Sequence, residues 1–124
     1  MKGQRLFVRP IDSADSDAIR AFLGLHRPHV DVPDSGLLGK LVGNLVAVLA
    51  MHITAADLRI DDIVVASELR RKRIGRVMLD EAEQLAARLD RQRLVIERDN
   101  GSAEFLQRVG FEREGPRWIR KVRK

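Results

Sequence analysis

"IVVASELRRKRIGRVMLDEAEQL", residues 63–85, joins two periodicities through a run of cations. Ile63, Val64 and Val65 are β-branched and close an apolar strand, "LRIDDIVVA", residues 58–66. From about Ile74 to Leu89, the residues Ile74, Val77, Met78, Ala82, Leu85 and Leu89 fall on one helical face. Between strand and helix stand Arg70, Arg71, Lys72 and Arg73, with Arg76 in the first turn. A helix start is already partly positive and ordinarily takes acidic residues. Its unpaired N–H groups and dipole favour an anion. A phosphate there would turn the five repelling cations into partners, and local rules tend to fail at functional sites. "RRKRIGR" therefore reads as a phosphate cradle, with Gly75 letting the backbone approach a ligand. The competing reading is a solvated basic turn, and residue types alone do not choose between them.

Outward from this unit the elements alternate. "RLFVRPI" reads as a first strand ended by Pro10, and "SADSDAIRAFLGLH" as a helix capped by Ser13 or Asp15 with an Ile19, Phe22, Leu23 stripe. "RPHVDVPDSG" is a loop by its prolines and aspartates. "LLGKLVGNLVAVLAMHI" reads as a hairpin turning at Gly43–Asn44, with Leu45–Ile53 as a buried strand. "QRLVIE" is a fifth strand, and "DNGSAEFLQRVGF" a short helix closed by Gly110. "RWIRKVRK" is expected as a last, edge strand whose charges discourage edge pairing. The order β-α-β-β-β-α-β-α-β predicts an α/β domain of the α+β type, one domain over residues 1–124.

Composition narrows the function classes. The chain has no cysteine, which excludes disulfides, thiolate metal ligands and a Cys nucleophile. Its start has no apolar segment suited to a signal peptide, and the most apolar region is broken by Lys40 and Gly43–Asn44. These features set the expectation of a cytoplasmic protein with no membrane contact. A net charge of +5 favours anionic partners. His26 and His29 with Asp31 and Asp34 fit no common zinc spacing and read as a surface loop, so no metal is expected. His52 reads as a packing or edge polar residue, and Trp118 as cover for the edge of the core. No G-x-S-x-G nucleophile pattern occurs.

The element order, and most clearly Leu58–Phe111, resembles the GNAT superfamily of acetyl-CoA-dependent N-acetyltransferases. Its members carry a strand ending in valine, then Gln or Arg, two residues, Gly, one residue, and Gly or Ala at a helix start. Val65, Arg70, Arg73 and Gly75 stand at those spacings, with Arg73 in the place of the first glycine. The later segment "LVIERDNGSAEFLQRVGF" is similar to the family's strand, Asn, helix and Gly-Phe, through Asn100, Ala103, Phe105, Gly110 and Phe111, one residue short. The resemblance implies a mixed central sheet of about six or seven strands flanked by three to four helices. It implies acetyl-CoA as co-substrate. The backbone of Ile63, Val64 and Val65 would face the pantetheine arm and acetyl carbonyl. The amides of Arg71, Lys72, Arg73, Ile74, Gly75 and Arg76 would hold the pyrophosphate, and Arg70 the 3′-phosphate. Asn100 and Ala103 would border the far side, and a homodimer would be usual.

Acid–base chemistry is less defined. An ammonium must lose a proton before it attacks. Candidate bases are Asp61 and Asp62, before the cradle, and Glu97, on the next strand. Asp61 has the parity of Ile63 and Val65, so it should share their strand face. The tyrosine that commonly protonates the leaving thiolate in this family has no counterpart, since the chain contains none and the matching position is Leu106 or Gln107. The reading is transfer of acetyl to a primary amine, on a small molecule or peptide, by direct attack. Two alternatives stand beside it. One is a basic nucleic-acid-binding module, which 4% aromatic content disfavours for single strands. The other is a catalytically silent CoA-binding protein of the same fold.

Overall fold

A computed structural model of the chain describes residues 5–70, 73–99 and 101–123. Expectations at Arg71, Lys72 and Asn100 lie outside the described residues. Strand β1 (Phe7–Pro10) leads through a one-turn 3₁₀ helix (Ser13–Asp15) into α1 (Ser16–His26). The hairpin β2 (Gly36–Leu41) and β3 (Asn44–Ile53) is followed by β4 (Asp57–Val65). A 3₁₀ turn (Ser67–Leu69) precedes α2 (Ile74–Arg88). Then come β5 (Arg93–Ile96), α3 (Ala103–Arg108), β6 (Glu112–Glu114) and β7 (Arg117–Lys121). The seven strands form one sheet in the order β1-β2-β3-β4-β5-β7-β6. Every pairing is antiparallel except β4 with β5. The mixed α/β class, the central sheet and three helices agree with the expectation. No helix among the described residues is long and apolar enough to cross a membrane.

The core is continuous from α1 to β7. Ile19, Leu38, Leu49, Leu58, Met78, Leu79, Leu94, Leu106 and Trp118 are fully buried, each worth roughly 1.5–3 kcal/mol of apolar burial. The apolar stripe of α2 is rotated from the expected one. It buries Ile74, Met78, Leu79, Ala82 and Ala86, while Leu89 lies past the helix end and is 40% exposed. The helix also buries a charge. Glu83 Oε1 accepts from Arg120 Nε at 2.8 Å, and Oε2 accepts from the Arg123 backbone N–H at 3.0 Å. Arg120 further donates to Asp80 Oδ1 at 2.8 Å and to the Val109 carbonyl at 3.1 Å. Burial pushes the Glu83 carboxyl up, but the Arg123 N–H and the two guanidinium groups outweigh it, so the group ends below its ordinary value.

Three local expectations are corrected. The β2–β3 turn is Val42–Gly43, with Leu41 opposite Asn44. Both turn residues have positive φ, 50° and 82°, which is what a two-residue type I′ turn demands. A β-branched valine at such a φ gives no turn signal, so the glycine drew the reading one residue too far. At α1 the N-cap residue is Asp15, as one of the two expected, but its side chain makes no capping bond there; the side chain that caps is Asp12, at the preceding 3₁₀ turn. Asp12 and Asp15 form a capping box around the 3₁₀ turn. Asp15 is also held by Arg9 through two contacts of 2.8 Å, and the guanidinium, followed by the Asp12 N–H, keeps its carboxyl well below the usual carboxylate range. Finally, "RWIRK" is not an edge strand. β7 lies between β5 and β6, and Trp118, Ile119 and Arg120 are buried. Gly115, at φ 64°, and Pro116 form a tight turn that folds β6 back against it. The charge of Arg120 does not protect an edge; it is matched by Glu83 and Asp80.

Candidate active site

β4 and β5 pair only over Asp57–Arg59 against Arg93–Val95. At that closed end Arg93 grips Asp57 in a two-pronged ion pair, Nε to Oδ1 at 2.9 Å and Nη2 to Oδ2 at 3.0 Å. Beyond Arg59 the β4–β5 ladder stops, and β4 continues to Val65. A cleft of about 1220 Å³ opens there. One wall is β4, through Ile60, Asp61, Asp62, Ile63 and Val65. The start of α2 and the α3 segment, the latter chiefly through Arg98, Asp99, Ser102, Phe105, Leu106 and Arg108, line most of the rest.

Cations gather at the start of α2, while carboxylates line the cleft on both β4 and the α3 segment, where Asp99 and Glu104 stand beside the arginines, and Arg27 lines it facing Asp62. Arg70, Arg73 and Arg76 line it around the start of α2, joined by Arg98 and Arg108. Asp61 and Asp62 line it on β4. Helix α2 begins at Arg73 with no side-chain cap, so its first N–H groups are available to a ligand. Arg73 itself has φ 65° and ψ 14°, the left-handed conformation that glycine adopts readily and other residues rarely do. Gly75 has a different use from the one expected. A Cβ on it would lie 3.3 Å from Phe105 Cζ. The glycine lets the Phe105 ring of α3 seat against the first turn of α2, and both residues line the cleft.

The loop after β4 is anchored from behind. Ala66 N–H donates to the Val46 carbonyl at 2.8 Å, and Ser67 N–H donates to His26 Nδ1 at 3.1 Å. His26 therefore ties the end of α1 to the segment that leads into the basic turn. Asp99 organises the opposite wall. Its carboxylate accepts from Gly101 N–H at 2.8 Å and from Trp118 Nε1 at 3.3 Å.

The carboxylates differ in their partners. Asp62 accepts from the Ile63 N–H at 2.9 Å and faces Arg27 Nη1 at 3.6 Å. Asp61 Oδ1 accepts from Arg59 Nε at 3.1 Å, and Oδ2 hydrogen-bonds His52 Nδ1. A smaller pocket of about 270 Å³ adjoins the cleft and shares Asp61 and Asp62 with it. Its other walls are Val30–Ser35 from the α1–β2 loop and Ala50–His52 of β3.

The structure thus brings Asp61, Asp62, Ile63, Val65, Arg70, Arg73, Ile74, Gly75 and Arg76 to one cleft. Val64 belongs to the buried core, leaving only its backbone to serve a ligand. Glu97 and Ala103 do not line the cleft, and Glu97 faces Arg117 at 4.0 Å. Leu106 does line it, buried to 2% exposure, and Gln107 does not. Sequence reasoning missed Arg27, Arg98, Arg108 and Ser102, which carry no motif and reach the cleft only through the fold. Asp61, Ile63 and Val65, which share parity, all line the cleft, and Ile60 and Asp62, on either side of Asp61 where β4 bulges opposite Ala50 and Met51, line it too.

The model of the acetyltransferase (GNAT) family matches residues 6–111. The chain belongs to this family. Several solved members share its fold. N-acetylglutamate synthase from Neisseria gonorrhoeae, complexed with coenzyme A and N-acetyl-glutamate, superposes with a TM-score of 0.81 at 17% identity. That match covers 99% of this chain but 36% of the synthase chain, so the GNAT chain described here spans about a third of that protein. The ribosomal-protein-S18-alanine N-acetyltransferase of Escherichia coli matches at TM-score 0.77 and 11% identity, covering 97% of this chain and 96% of the enzyme. A GNAT family N-acetyltransferase of Escherichia coli in complex with CoA matches at 0.72 and 14%, covering 99% and 84%. No curated protein matches the sequence.

Proposed function

We propose that the chain is an acetyl-CoA-dependent N-acetyltransferase that moves acetyl to a primary amine by direct attack. The observation that carries this reading is a single cleft that joins a cationic, uncapped helix start to an unpaired strand edge bearing carboxylates. The donor set fits a diphosphate. The N–H groups of Ile74, Gly75 and Arg76 lie at the positive end of α2, with Arg70, Arg73 and Arg76 around them. Hydrogen bonds to a charged group contribute about 1.5–3 kcal/mol each.

The free edge of β4 from Ile60 to Val65 suits an extended amide-bearing arm, since backbone N–H and C=O groups there have no β5 partner. Holding a remote handle at α2 lets binding energy position the thioester at the other end. The chain has no cysteine, so the commonest thiol route to a covalent acetyl-enzyme is closed.

One feature favours a second reading, a CoA-binding protein without transferase activity. Leu106 lines the cleft at the position where the family resemblance places a proton donor, and an alkyl side chain has no proton to give. Two measurements decide. Isothermal titration with acetyl-CoA should give binding, and its absence at millimolar ligand would remove both readings. Coenzyme A release over a panel of amines should exceed thioester hydrolysis; equal rates would leave only the silent binder.

A further inference from the structure

We propose that His52 is the catalytic base, held by Asp61 so that it takes the proton of an amine bound in the smaller pocket. The proposal rests on the acetyltransferase reading of the cleft. His52 Nδ1 hydrogen-bonds Asp61 Oδ2. A carboxylate there selects the tautomer with the proton on Nδ1, which leaves the Nε2 lone pair open. Asp61 lines both the cleft and the smaller pocket, while His52 lines the pocket. The pair therefore sits where an acceptor from one side would meet a thioester from the other. The base–orienter arrangement is the one that makes imidazole effective in proton transfer.

A β-bulge creates this pair. Above it Leu49 faces Ile63 and Ala50 faces Asp62; continued in that register, His52 would stand opposite Ile60. The extra residue in β4 sets His52 opposite Arg59 instead. Residues directly opposite on paired strands share a face, so His52 joins the face of Arg59, and the Asp61 carboxylate meets its ring. Arg59 Nε donates to Asp61 Oδ1 at 3.1 Å and holds the carboxylate in place, while its Nη2, 3.2 Å from His52 Nδ1, has no acceptor there once that nitrogen carries the proton facing Asp61. The charged groups around His52 are thus Arg59 and Asp61 from β4, with Asp62, and with Asp31 and Asp34 of the α1–β2 loop lining the same pocket. The His52 side chain is 61% exposed.

The step balances without a further reactant. The amine nitrogen bonds to the thioester carbonyl carbon, the C–S bond breaks, and coenzyme A leaves as thiolate. The proton displaced from nitrogen goes to His52 Nε2, and Asp61 faces the imidazolium that forms. Solvent or the thiolate then takes the proton back.

The test compares wild type with His52→Gln, His52→Ala and Asp61→Asn. Coenzyme A release is followed with spermidine, a lysine-containing peptide and an alanine-ended peptide, across pH. Acetyl-CoA affinity is measured separately by titration. His52→Gln should lower kcat about 100-fold or more, leave acetyl-CoA affinity within about twofold, and remove the acidic limb of the kcat/KM profile. Asp61→Asn should give a smaller loss, and added imidazole should restore part of the rate to His52→Ala. Unchanged kcat and pH profile in His52→Gln would overturn the proposal and leave the transferase reading intact. A wild type that binds acetyl-CoA but turns over none of the amines would overturn the proposal and the transferase reading together, and keep only the cofactor site.

Discussion

Replacing Arg73 by glycine separates two effects that share this position. The residue stands where the family pattern has a glycine, and its φ of 65° is a glycine conformation. Left-handed backbone costs a residue with a Cβ roughly 1–2 kcal/mol. Glycine removes that cost but has a more mobile unfolded chain, an opposing effect of roughly 0.5–1 kcal/mol. Arg73→Gly should therefore stabilise the fold by about 0.5–1 kcal/mol. For a chain of this length that raises Tm by about 2–5 °C.

Arg73→Ala is the control, because it loses the same guanidinium yet keeps the Cβ and its strain. It should be no more stable than wild type, and the glycine variant should exceed it. On the ligand side the two should behave alike. Arg73 is exposed and is one of several cations lining the cleft, so an ion pair with a phosphate there is worth up to about 1 kcal/mol. Acetyl-CoA affinity should fall by at most about fivefold in both variants, and less at high salt. Thermal unfolding by circular dichroism and titration calorimetry give the two numbers. If Arg73→Gly is no more stable than Arg73→Ala, residue 73 is not held in the left-handed region, and the equivalence with the family's glycine is wrong.

Three other substitutions probe the structure around the site. Val42→Asn should stabilise the β2–β3 turn by about 1 kcal/mol, because Asn-Gly suits a turn with two positive φ values and a β-branched residue does not; urea unfolding would show it as a higher midpoint at unchanged slope. Gly75→Ala should add less stability alone than in a Phe105→Leu background, where removing the ring tip frees about 0.5–1 kcal/mol of helix propensity; equal effects in both would mean that the 3.3 Å approach does not constrain the pair. Glu83→Gln should cost about 3 kcal/mol near neutral pH, since it leaves Arg120 buried with its main partner gone. The folded Glu83 is depressed, so its contribution is present above the ordinary carboxylate range and is lost as pH falls through the folded value. The gap between wild type and Glu83→Gln should therefore narrow in acid, and a gap that stays constant down to pH 2 would contradict the network.

The parts of this protein that were legible in its sequence are those where residue type acts locally. Ile63–Val65 at a strand end, the basic turn and the α2 periodicity located the cleft wall at the start of α2, because strand, helix and anion preference each leave a short-range pattern. The C-terminal region was misread for the opposite reason. Arg120 looks like an exposed edge charge until Glu83, on α2, is brought to 2.8 Å from it. Arg98 and Arg108 likewise join the cleft only because α3 folds across the start of α2, a contact that Gly75 permits and no motif announces.

The His52–Asp61 pair was hidden by a single residue of register. Alternation along a strand is a reliable guide only while the ladder is regular, and β4 departs from it at Asp61. On the regular register Asp61 and His52 would point to opposite faces, and a histidine at a strand end would carry no chemical meaning. One inserted residue reverses that relation, brings the imidazole to the carboxylate, and does so at the point where β4 leaves β5 and the cleft begins. A bulge bends its strand and increases the local twist, and β4 and β5 do part beside this one. The same residue can thus help to open the cleft and pair the groups that work at its mouth. Restoring regular alternation by deleting Asp61 should therefore shift the point where the ladder with β5 ends and weaken acetyl-CoA binding, whereas Asp61→Asn, which keeps the extra residue, should leave that affinity unchanged. Equal acetyl-CoA affinity in the two variants would show that the bulge does not open the cleft.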